Sequence, residues 1–403
     1  MITVNEALTI LQDNLPSPRI VTVPLAEAFS RRLAEDIFSP EPSPRYTSSA
    51  MDGYAVRWQD VASLHGDERP VMLNIAGESQ AGIPYDHALE EGEAIRISTG
   101  AMVPLGADTV VRVEDTREAE GLVTILRCRN KGQDVRHAGE EFAAGTKLLE
   151  RGLVLKARQI ALLSAVGVDQ VPVYDTPLVS LFITGTELAH YDDAGIKPFQ
   201  VRDSNAPMLQ SAILEAGGRI AECMHVEDDL AETVESMRKA LQCGSDIILC
   251  SGGVSVGRHD HVKEAAEAVG FQQLFWKIKQ KPGKPLFVAK KDRTLLFGLP
   301  GNPVSAFMCF QNYVIPSLAV LQGVSYLKKS ISAQAEVAIQ NNGKRTDFIR
   351  VVITDEPHAV PVIKPIPQQG SHMLSSIVNA DGYIVLEPGS TLGPGEMTEV
   401  FVF

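Results

Sequence analysis

The sequence predicts a multidomain α/β protein built around a three-layer parallel-sheet domain. From residue 177 onward, short apolar runs alternate with segments of helical periodicity, which is the pattern of a parallel sheet flanked by helices. On both sides of this region the pattern changes to short alternating runs separated by turns, which indicates β domains. The chain has 403 residues, which is too long for one ordinary core.

Before the sheet region we expect two helices, a β insertion and a third helix. Residues 3–14 and 24–37 have helical spacing, the first behind a Thr or Asn start. A connector rich in proline and serine follows, and from about 54 to 155 short alternating runs predict an all-β insertion. Residues 157–168 return to a helical pattern.

In the sheet region each expected strand is followed by a turn or a helix. The expected strands are LVSLFI, RIAECMHV, DIILC, QLFWKI, PLFVAK and TLLFG. A helix near 204–218 has Ser204 or Asp203 as its cap, and a long helix begins near Asn302. After Lys328 only strands are expected, which predicts a small C-terminal β-barrel domain.

These patterns divide the chain into four expected domains. Residues 1–45 with 146–172 form a helical and extended linking domain. Residues 46–145 form the β insertion, 173–328 the parallel-sheet domain, and 329–403 the C-terminal β domain.

Composition excludes several classes of protein. The net charge of -13 argues against nucleic-acid or membrane-surface partners, which favour a basic face. The five cysteines contain no C-x-x-C pair, so neither a zinc site nor a disulfide framework is supported, and we expect reduced thiols. We find no signal peptide and no apolar stretch of about 18 residues. We therefore expect a cytoplasmic protein.

Three turns rich in glycine and proline interrupt the sheet region: SGGVSVGRHD (251–260), KQKPGKP (279–285) and GLPGNPVS (298–305). In the first, N–H groups of Ser251, Gly252, Gly253 and Ser255 before a helix would form an anion-binding site. It is not a P-loop, because Arg258 and His259 follow where lysine and a hydroxyl residue are needed. The alternative is a tight strand-to-helix turn without a ligand.

A cluster of lysines lies beside these turns. If the segment is a strand, Lys277, Lys279 and Lys281 point to one face, and Lys284 follows in the PGKP turn. Such lysines would meet a phosphate or another oxyanion as point charges. The alternative is a solvated basic edge.

Acidic and polar residues at other strand ends complete this edge of the sheet. Asp260 begins a helix, where it is either an N-cap or a carboxylate that meets the anion through a cation. Ser305 and free N–H groups of GLPGNPVS could meet a ligand. TGTEL (184–188) likewise comes directly after an expected strand, LVSLFI. Asp203, Asp228 and Asp229 lie at further strand ends.

In the β insertion, AMDGYAV (50–56) and RHAGEE (136–141) carry charged residues in turns. They are Asp52, Arg136, Glu140 and Glu141. Taken alone, each is compatible with an ordinary surface turn.

Seven motifs together resemble one family. SAMDGYAV, AIRISTGA, the AGEE turn, SGGVSVG, KPGKP, GLPGNPVS and QGSHMLSS (369–376) follow one another over nearly the whole chain. In this order they resemble molybdopterin molybdotransferase, the molybdenum insertase family that includes the gephyrin E domain.

The resemblance implies an enzyme that converts adenylylated molybdopterin and molybdate into molybdenum cofactor and AMP, assisted by Mg²⁺. It implies a homodimer whose active cleft lies between the molybdopterin-binding sheet domain of one subunit and the β insertion of the other. It also implies transient contacts with molybdopterin adenylyltransferase and with cofactor-accepting enzymes, and neither nucleic-acid nor membrane partners.

Residue roles follow from the same resemblance. The implied catalytic residues are Asp260, Lys277, Lys281, Asp52 and Glu141. The implied binding residues are Glu187, Ser251, Gly252, Gly253, Ser255, Lys284, Gly301, Asn302, Ser305, Thr99, Arg136 and Ser371. The implied metal-side residues are Asp228, Asp260, Pro300 and Pro303.

The chain departs from the family pattern at Thr186, at His137, at Glu141 in place of aspartate, and at residues 46–49. These departures leave open a diverged paralogue that uses tungstate or acts as a binding protein. A molybdopterin adenylyltransferase is a further alternative, since its sheet domain is similar. That family usually consists of the sheet domain alone, so the additional domains count against it.

Overall fold

The computed structural model describes residues 1–65, 69–254, 261–325, 328–354 and 360–403. This described chain forms two compact units. One unit comprises Met1–Val21 and Tyr174–Phe403, and the other comprises Thr22–Val173. The four domain borders expected from the sequence stay predictions.

The first expected helix is confirmed as α1 (Val4–Asn14). Thr3 and Glu6 form a reciprocal capping box: the Thr3 hydroxyl accepts from the Glu6 N–H at 3.2 Å, and the Glu6 carboxylate accepts from the Thr3 N–H at 2.7 Å. Ala7 and Leu11 are buried in the core of the sheet domain. The helix therefore belongs to the first unit.

The helix expected over 24–37 is wrong. This region contains strand β1 (Ile20–Pro24), a 3₁₀ turn (Leu25–Glu27) and strand β2 (Ile37–Phe38). Ser30 has a left-handed φ of 63°, which a helix cannot contain. Its N–H donates to the Leu155 carbonyl at 2.8 Å, and the Leu33 N–H donates to the Leu153 carbonyl at 2.9 Å. Pairing with a distant segment has overridden the local helical pattern.

The second unit is confirmed as largely β. It contains β3 (Ser48–Ser49), β4 (Gly53–Val56), α2 (Trp58–Val61), β5 (Val71–Ser79), β6 (Glu93–Ile97), β7 (Thr109–Arg112), β8 (Thr116–Ala119), β9 (Leu122–Ile125), β10 (Val135–Arg136), β11 (Lys147–Leu149), α3 (Ala157–Ala165) and β12 (Gln170–Tyr174). Six strands form one sheet in the order β7-β4-β6-β5-β9-β8. At Gly53 the strands approach so closely that a Cβ would lie 1.9 Å from the Val111 carbonyl oxygen, so only glycine fits.

The sheet domain contains the expected alternation of strands and helices. Its elements are β13 (Leu178–Thr184), β14 (Leu188–Ala189), β15 (Val201–Arg202), α4 (Asn205–Glu215), β16 (Arg219–Val226), α5 (Leu230–Gln242), β17 (Ile247–Ser251), α6 (Val262–Ala268), β18 (Gln272–Trp276), β19 (Gln280–Lys281), β20 (Phe287–Lys291), β21 (Thr294–Leu299), α7 (Pro303–Cys309) and α8 (Ile315–Leu321). The main sheet has the order β16-β13-β17-β21-β20-β18. The first four strands are parallel, and β20 and β18 are antiparallel at one edge.

Helices cover both faces of this sheet, which gives the three expected layers. Residues of α1, α4, α7 and α8 pack on one face, and residues of α5 and α6 pack on the other. A π-helical turn, Phe310–Val314, joins α7 to α8. The stretch Pro303–Leu321 is long and apolar enough to cross a bilayer, contrary to the sequence expectation, but 67% of it is buried as a core helix.

The C-terminal region forms a closed five-stranded barrel, as expected. Its elements are β22 (Ser330–Ala335), β23 (Ile339–Gln340), β24 (Thr346–Thr354), β25 (Val362–Pro365), α9 (Ser375–Val378), β26 (Gly382–Leu386), β27 (Thr391–Leu392) and β28 (Met397–Val402). The closure runs β24-β25-β22-β28-β26 and back to β24. The short strand β19 of the sheet domain pairs with β24, so the two regions share hydrogen bonds.

Candidate active site

The carboxyl ends of three central strands surround a cavity of 280 Å³. Its lining residues come from the turns after β13, β17 and β21, from the end of β16, and from the KPGKP turn: Thr184, Gly185, Glu187, Asp228, Gly252, Gly253, Val254, Pro285, Pro300 and Gly301. Open α/β sheets bind ligands at this edge.

The turn after β17 requires its glycines. Gly252 and Gly253 have φ angles of +97° and +65°. A Cβ on Gly252 would lie 2.6 Å from the Thr184 hydroxyl oxygen, so a larger residue does not fit. The Gly252 N–H donates to the Leu299 carbonyl at 3.1 Å, which links this turn to the end of β21. Ser255 and Asp260, both predicted here, lie outside the described residues.

A buried asparagine behind the cavity joins two of its walls, and the sequence analysis missed it. The Asn205 amide donates to the Ser251 hydroxyl and to the Gly301 carbonyl, each at 2.8 Å. The Asp203 carboxylate in turn accepts from the backbone N–H of Asn205 at 2.8 Å and of Ala206 at 3.1 Å. The sequence indicated Asp203 only as a possible helix cap. Its carboxylate holds Asn205, two positions later, in place.

Two acidic side chains face the cavity. Glu187 is exposed, and Asp228 is half-buried, with one carboxylate oxygen accepting from the Thr186 N–H at 3.2 Å. Among the described residues no group of three or more His, Cys, Asp or Glu side chains could hold a metal ion. Any cation here would therefore need oxygens from a ligand in addition to these carboxylates.

The lysine segment is not one continuous strand, so the expected alternation is wrong. Strand β18 ends at Trp276, and Lys277 has a left-handed φ of 65°. The Lys277 ammonium lies 3.7 Å from the centre of the Trp276 ring, a cation–π contact. Lys279 is exposed, and its backbone bonds to Ile2 and Thr346. These contacts turn the chain between Lys277 and the short strand β19 that contains Lys281.

Lys281 lies in a second, basic pocket of 300 Å³. Its lining residues are Lys281, Gln340, Asn341, Asn342, Gly343, Lys344, Arg345 and Asp347. The Lys281 ammonium pairs with Asp347 at 3.0 Å, and the Arg345 guanidinium donates to the Gln280 carbonyl at 3.1 Å. The sequence analysis did not single out Lys344 and Arg345, because only the pairing of β19 with β24 brings them to the lysine segment.

The turn after β21 contacts the C-terminal region. The Asn302 amide donates to the Ser371 hydroxyl at 3.1 Å, and the Ser371 carbonyl accepts from the Val304 N–H at 3.2 Å. Pro303 is the first residue of α7, as expected, whereas Ser305, predicted to meet a ligand, is the buried third residue of that helix and is not among the residues that line the cavity. Pro300 lines the cavity. Lys284 is exposed at the opposite turn.

Of the residues predicted in the β insertion, Asp52 and Thr99 contact each other, while Glu141 and Arg136 contact other residues. The Asp52 carboxylate accepts from the Thr99 N–H at 2.6 Å. Glu141 accepts from the Ser43 hydroxyl at 2.6 Å, next to strand β10, where Arg136 pairs with Ser48. These contacts preorganise two carboxylates on the surface of the second unit.

Glu140 lies beside these pairs. Its carboxylate accepts from the His137 N–H at 2.8 Å, which closes the RHAGEE turn. This contact gives Glu140 a local structural role.

With this geometry established, comparison with known proteins defines the class. Residues 2–167 match the MoeA N-terminal region (domain I and II), residues 180–320 a probable molybdopterin binding domain, and residues 332–403 the MoeA C-terminal region (domain IV). The fold is thus that of a MoeA-type protein, and its sheet domain matches the molybdopterin binding domain of that family.

Relatives match along most of their length. A molybdopterin molybdenumtransferase of Haemophilus influenzae is 35% identical over 96% of this chain and 95% of its own length. One from Staphylococcus epidermidis is 32% identical over 97% and 93%. The crystal structure of a molybdopterin biosynthesis moeA protein from Pyrococcus horikoshii superposes with a TM-score of 0.82 at 31% identity, covering 100% of this chain and 99% of that one. The chain belongs to the molybdopterin molybdenumtransferase family.

Proposed function

We propose that this chain transfers molybdate into adenylylated molybdopterin and releases AMP and molybdenum cofactor. The observation that carries the proposal is that a member of this family has a glycine-lined cavity at the strand ends and a basic pocket around Lys281 and Arg345, and that one turn, KPGKP, contributes Pro285 to the first and Lys281 to the second. Both reactants are anions, and the two pockets offer backbone dipoles to one and fixed positive charge to the other.

The residues present suit the cleavage of a phosphoric anhydride. Such a reaction depends mainly on positioning and on neutralising charge. The turn at Gly252 and Gly253 lets a phosphate approach the backbone closely, and Lys281, Lys344 and Arg345 supply cations for an incoming oxyanion. In this proposal the lysine segment positions molybdate beside the anhydride, and AMP leaves from the cavity.

The acidic side of the cavity would supply some of the ligands of a magnesium ion, and the substrate and water would supply the rest. Glu187 and Asp228 supply oxygen ligands, and Mg²⁺ is usually held by one or two carboxylates together with substrate phosphates and water. When bound, the ion would neutralise negative charge on the phosphates. The residues of the chain itself orient the substrate around it.

We further propose that the active unit is a homodimer in which Asp52, Thr99, Arg136 and Glu141 of one subunit complete the site of the other. The preorganised Asp52–Thr99 and Glu141–Ser43 pairs support this, because both carboxylates are held in place and neither forms an ion pair with a lysine or arginine among the residues that the structure describes. Five free cysteines agree with a reducing compartment, and we infer the cytoplasm.

The decisive assay is AMP release from adenylylated molybdopterin on addition of molybdate, with tungstate in a parallel arm. We expect release with molybdate and none without an oxyanion. Release with tungstate alone would identify the diverged paralogue, and binding without release would identify a binding protein. ATP consumption with molybdopterin in the absence of either oxyanion would favour the adenylyltransferase.

Mixing two inactive variants tests the shared cleft. Asp52→Asn and Lys284→Met alter different parts of the chain, so a mixed dimer with a cleft between subunits contains one intact site of two. Equal mixing and subunit exchange should restore about a quarter of wild-type activity for a symmetric dimer. No recovery, with exchange verified by mass, would mean that each site is built within one chain.

A further inference from the structure

Thr184 ends the central strand β13 and is one of the residues that line the cavity. It is 8% exposed, and its hydroxyl oxygen is buried without a hydrogen-bond partner in the described chain. The turn after β17 lies directly against it, because a Cβ on Gly252 would come within 2.6 Å of this hydroxyl and a Cβ on Gly253 within 3.2 Å. The hydroxyl therefore lies beside the glycine turn at the wall of the cavity.

A buried hydroxyl without a partner destabilises a folded protein, since it has lost its hydrogen bonds to water. Valine has nearly the same shape, suits a strand equally well and carries no such cost. Nothing within the described chain compensates for the hydroxyl of Thr184. A partner from the cavity would compensate, and a ligand that occupies the cavity can supply it.

We infer that the Thr184 hydroxyl donates a hydrogen bond to a phosphate oxygen of the bound substrate. The glycine turn beside it favours an anion. The inference deepens the proposed function and rests on it, because that function supplies a pyrophosphate-linked substrate. Within the TGTEL motif, Thr184 thereby becomes a binding residue in addition to Glu187.

The test compares Thr184→Val and Thr184→Ser with the wild type by calorimetric titration and thermal unfolding. The probes are inorganic pyrophosphate and AMP, and adenosine serves as the ligand without phosphate. Thr184→Val should weaken pyrophosphate and AMP binding about tenfold, as expected for one hydrogen bond to a charged group. Its melting temperature should stay the same or rise, and Thr184→Ser should restore the affinity.

Thr109→Val is the matched control. Thr109 is also buried, but its hydroxyl donates to Asp108 at 3.1 Å and accepts from the Gly132 N–H at 3.3 Å. This variant should lose thermal stability and keep its affinity for both phosphate probes, the opposite of Thr184→Val.

Several results would overturn the inference: unchanged affinity in Thr184→Val, an equal loss for adenosine, or no phosphate binding by the wild type. Failure of the proposed function has a different signature. If pyrophosphate binding depends on Thr184 but no AMP is released from adenylylated molybdopterin, the function fails and the phosphate contact stands. If AMP is released and Thr184→Val binds like the wild type, only the inference fails.

Discussion

The Lys281 ammonium lies 3.0 Å from the Asp347 carboxylate, so a lysine of the sheet domain is held by a strand of the C-terminal barrel. Strands β19 and β24 fix this contact, because Lys281 and Asp347 are register partners in a parallel pair. Asp347 also lines the basic pocket, and its negative charge opposes the binding of an oxyanion there. Asp347 thus has two opposing effects: it fixes the position of Lys281, and it lowers the net positive charge of the pocket.

Replacing Asp347 with asparagine should lower the KM for molybdate severalfold, since the pocket then loses its one lining carboxylate while keeping Lys281, Lys344 and Arg345. Lys281→Met should raise the KM instead. Steady-state kinetics at low and high salt measure both effects, which should shrink as salt increases. Glu336→Gln is the control, because Glu336 is half-exposed and pairs with Lys364 at 3.8 Å elsewhere on the barrel. A higher KM in Asp347→Asn would mean that positioning of Lys281 dominates.

In the β insertion, Asp52→Asn should reduce AMP release by at least about tenfold with little effect on folding, if the carboxylate charge acts on substrate or cation. The asparagine side chain can still accept from the Thr99 N–H, so the turn should persist. Thermal unfolding and turnover are measured side by side. Asp86→Asn is the control, because Asp86 is 84% exposed and lies in the same unit. Equal turnover in the two variants would remove Asp52 from the reaction.

Asn205→Ala should destabilise the sheet domain by about 1–3 kcal/mol, because the Ser251 hydroxyl and the Gly301 carbonyl both lose a buried donor. It should also weaken pyrophosphate binding, since the two neighbouring turns that these groups belong to both line the cavity. Urea unfolding and calorimetry measure the two effects. Asn14→Ala removes a single hydrogen bond, from the Asn14 side-chain amide to the Ile10 carbonyl at the end of α1, and should leave pyrophosphate binding unchanged. Full affinity in Asn205→Ala would show that the walls hold their position without it.

The sequence predicted the parts of this fold in which local pattern and tertiary environment agree. Strand β17 is buried along its whole length and apolar as far as Cys250, and α1 has a capping box in its first turn, so both were predicted correctly. The failure at 24–37 has the opposite cause. There the apolar residues have helical spacing, but the backbone pairs instead with residues near Leu153 and Leu155. The local sequence does not indicate this long-range pairing.

The candidate site likewise contains residues that the sequence predicted and residues that it did not. Glycine turns at strand ends are visible in the sequence, and Gly252, Gly253 and Gly301 do line one cavity. Arg345 and Asn205 were not predicted, because their importance comes from contacts with residues 65 and 96 positions away. Long-range pairing of this kind cannot be derived from periodicity in a single sequence.

Lys328 provides a test based on pH. Its ammonium is largely buried between the Tyr383 and Phe401 rings, at 5.9 Å and 5.1 Å from their centres, and it donates to Asn312 of the π-helical turn. Burial lowers the pKa of Lys328 from 10.5 to about 8, and the nearby Glu399 opposes this shift only in part. The folded protein therefore binds this proton more weakly than the unfolded chain does.

Because the unfolded state holds more protons between pH 8 and 10.5, the contribution of Lys328 to stability should increase as pH rises through that window. Below pH 8 the buried charge is a full cost, so Lys328→Met should be at least as stable as the wild type at pH 7. The Tyr383 hydroxyl still donates to Asn312 at 2.9 Å in that variant. Urea unfolding at pH 7, 8, 9 and 10 should show the wild type gaining about 2–3 kcal/mol relative to Lys328→Met. The exposed neighbour Lys329, replaced by methionine, should show no such gain, and a constant difference between wild type and Lys328→Met across this range would contradict the assignment.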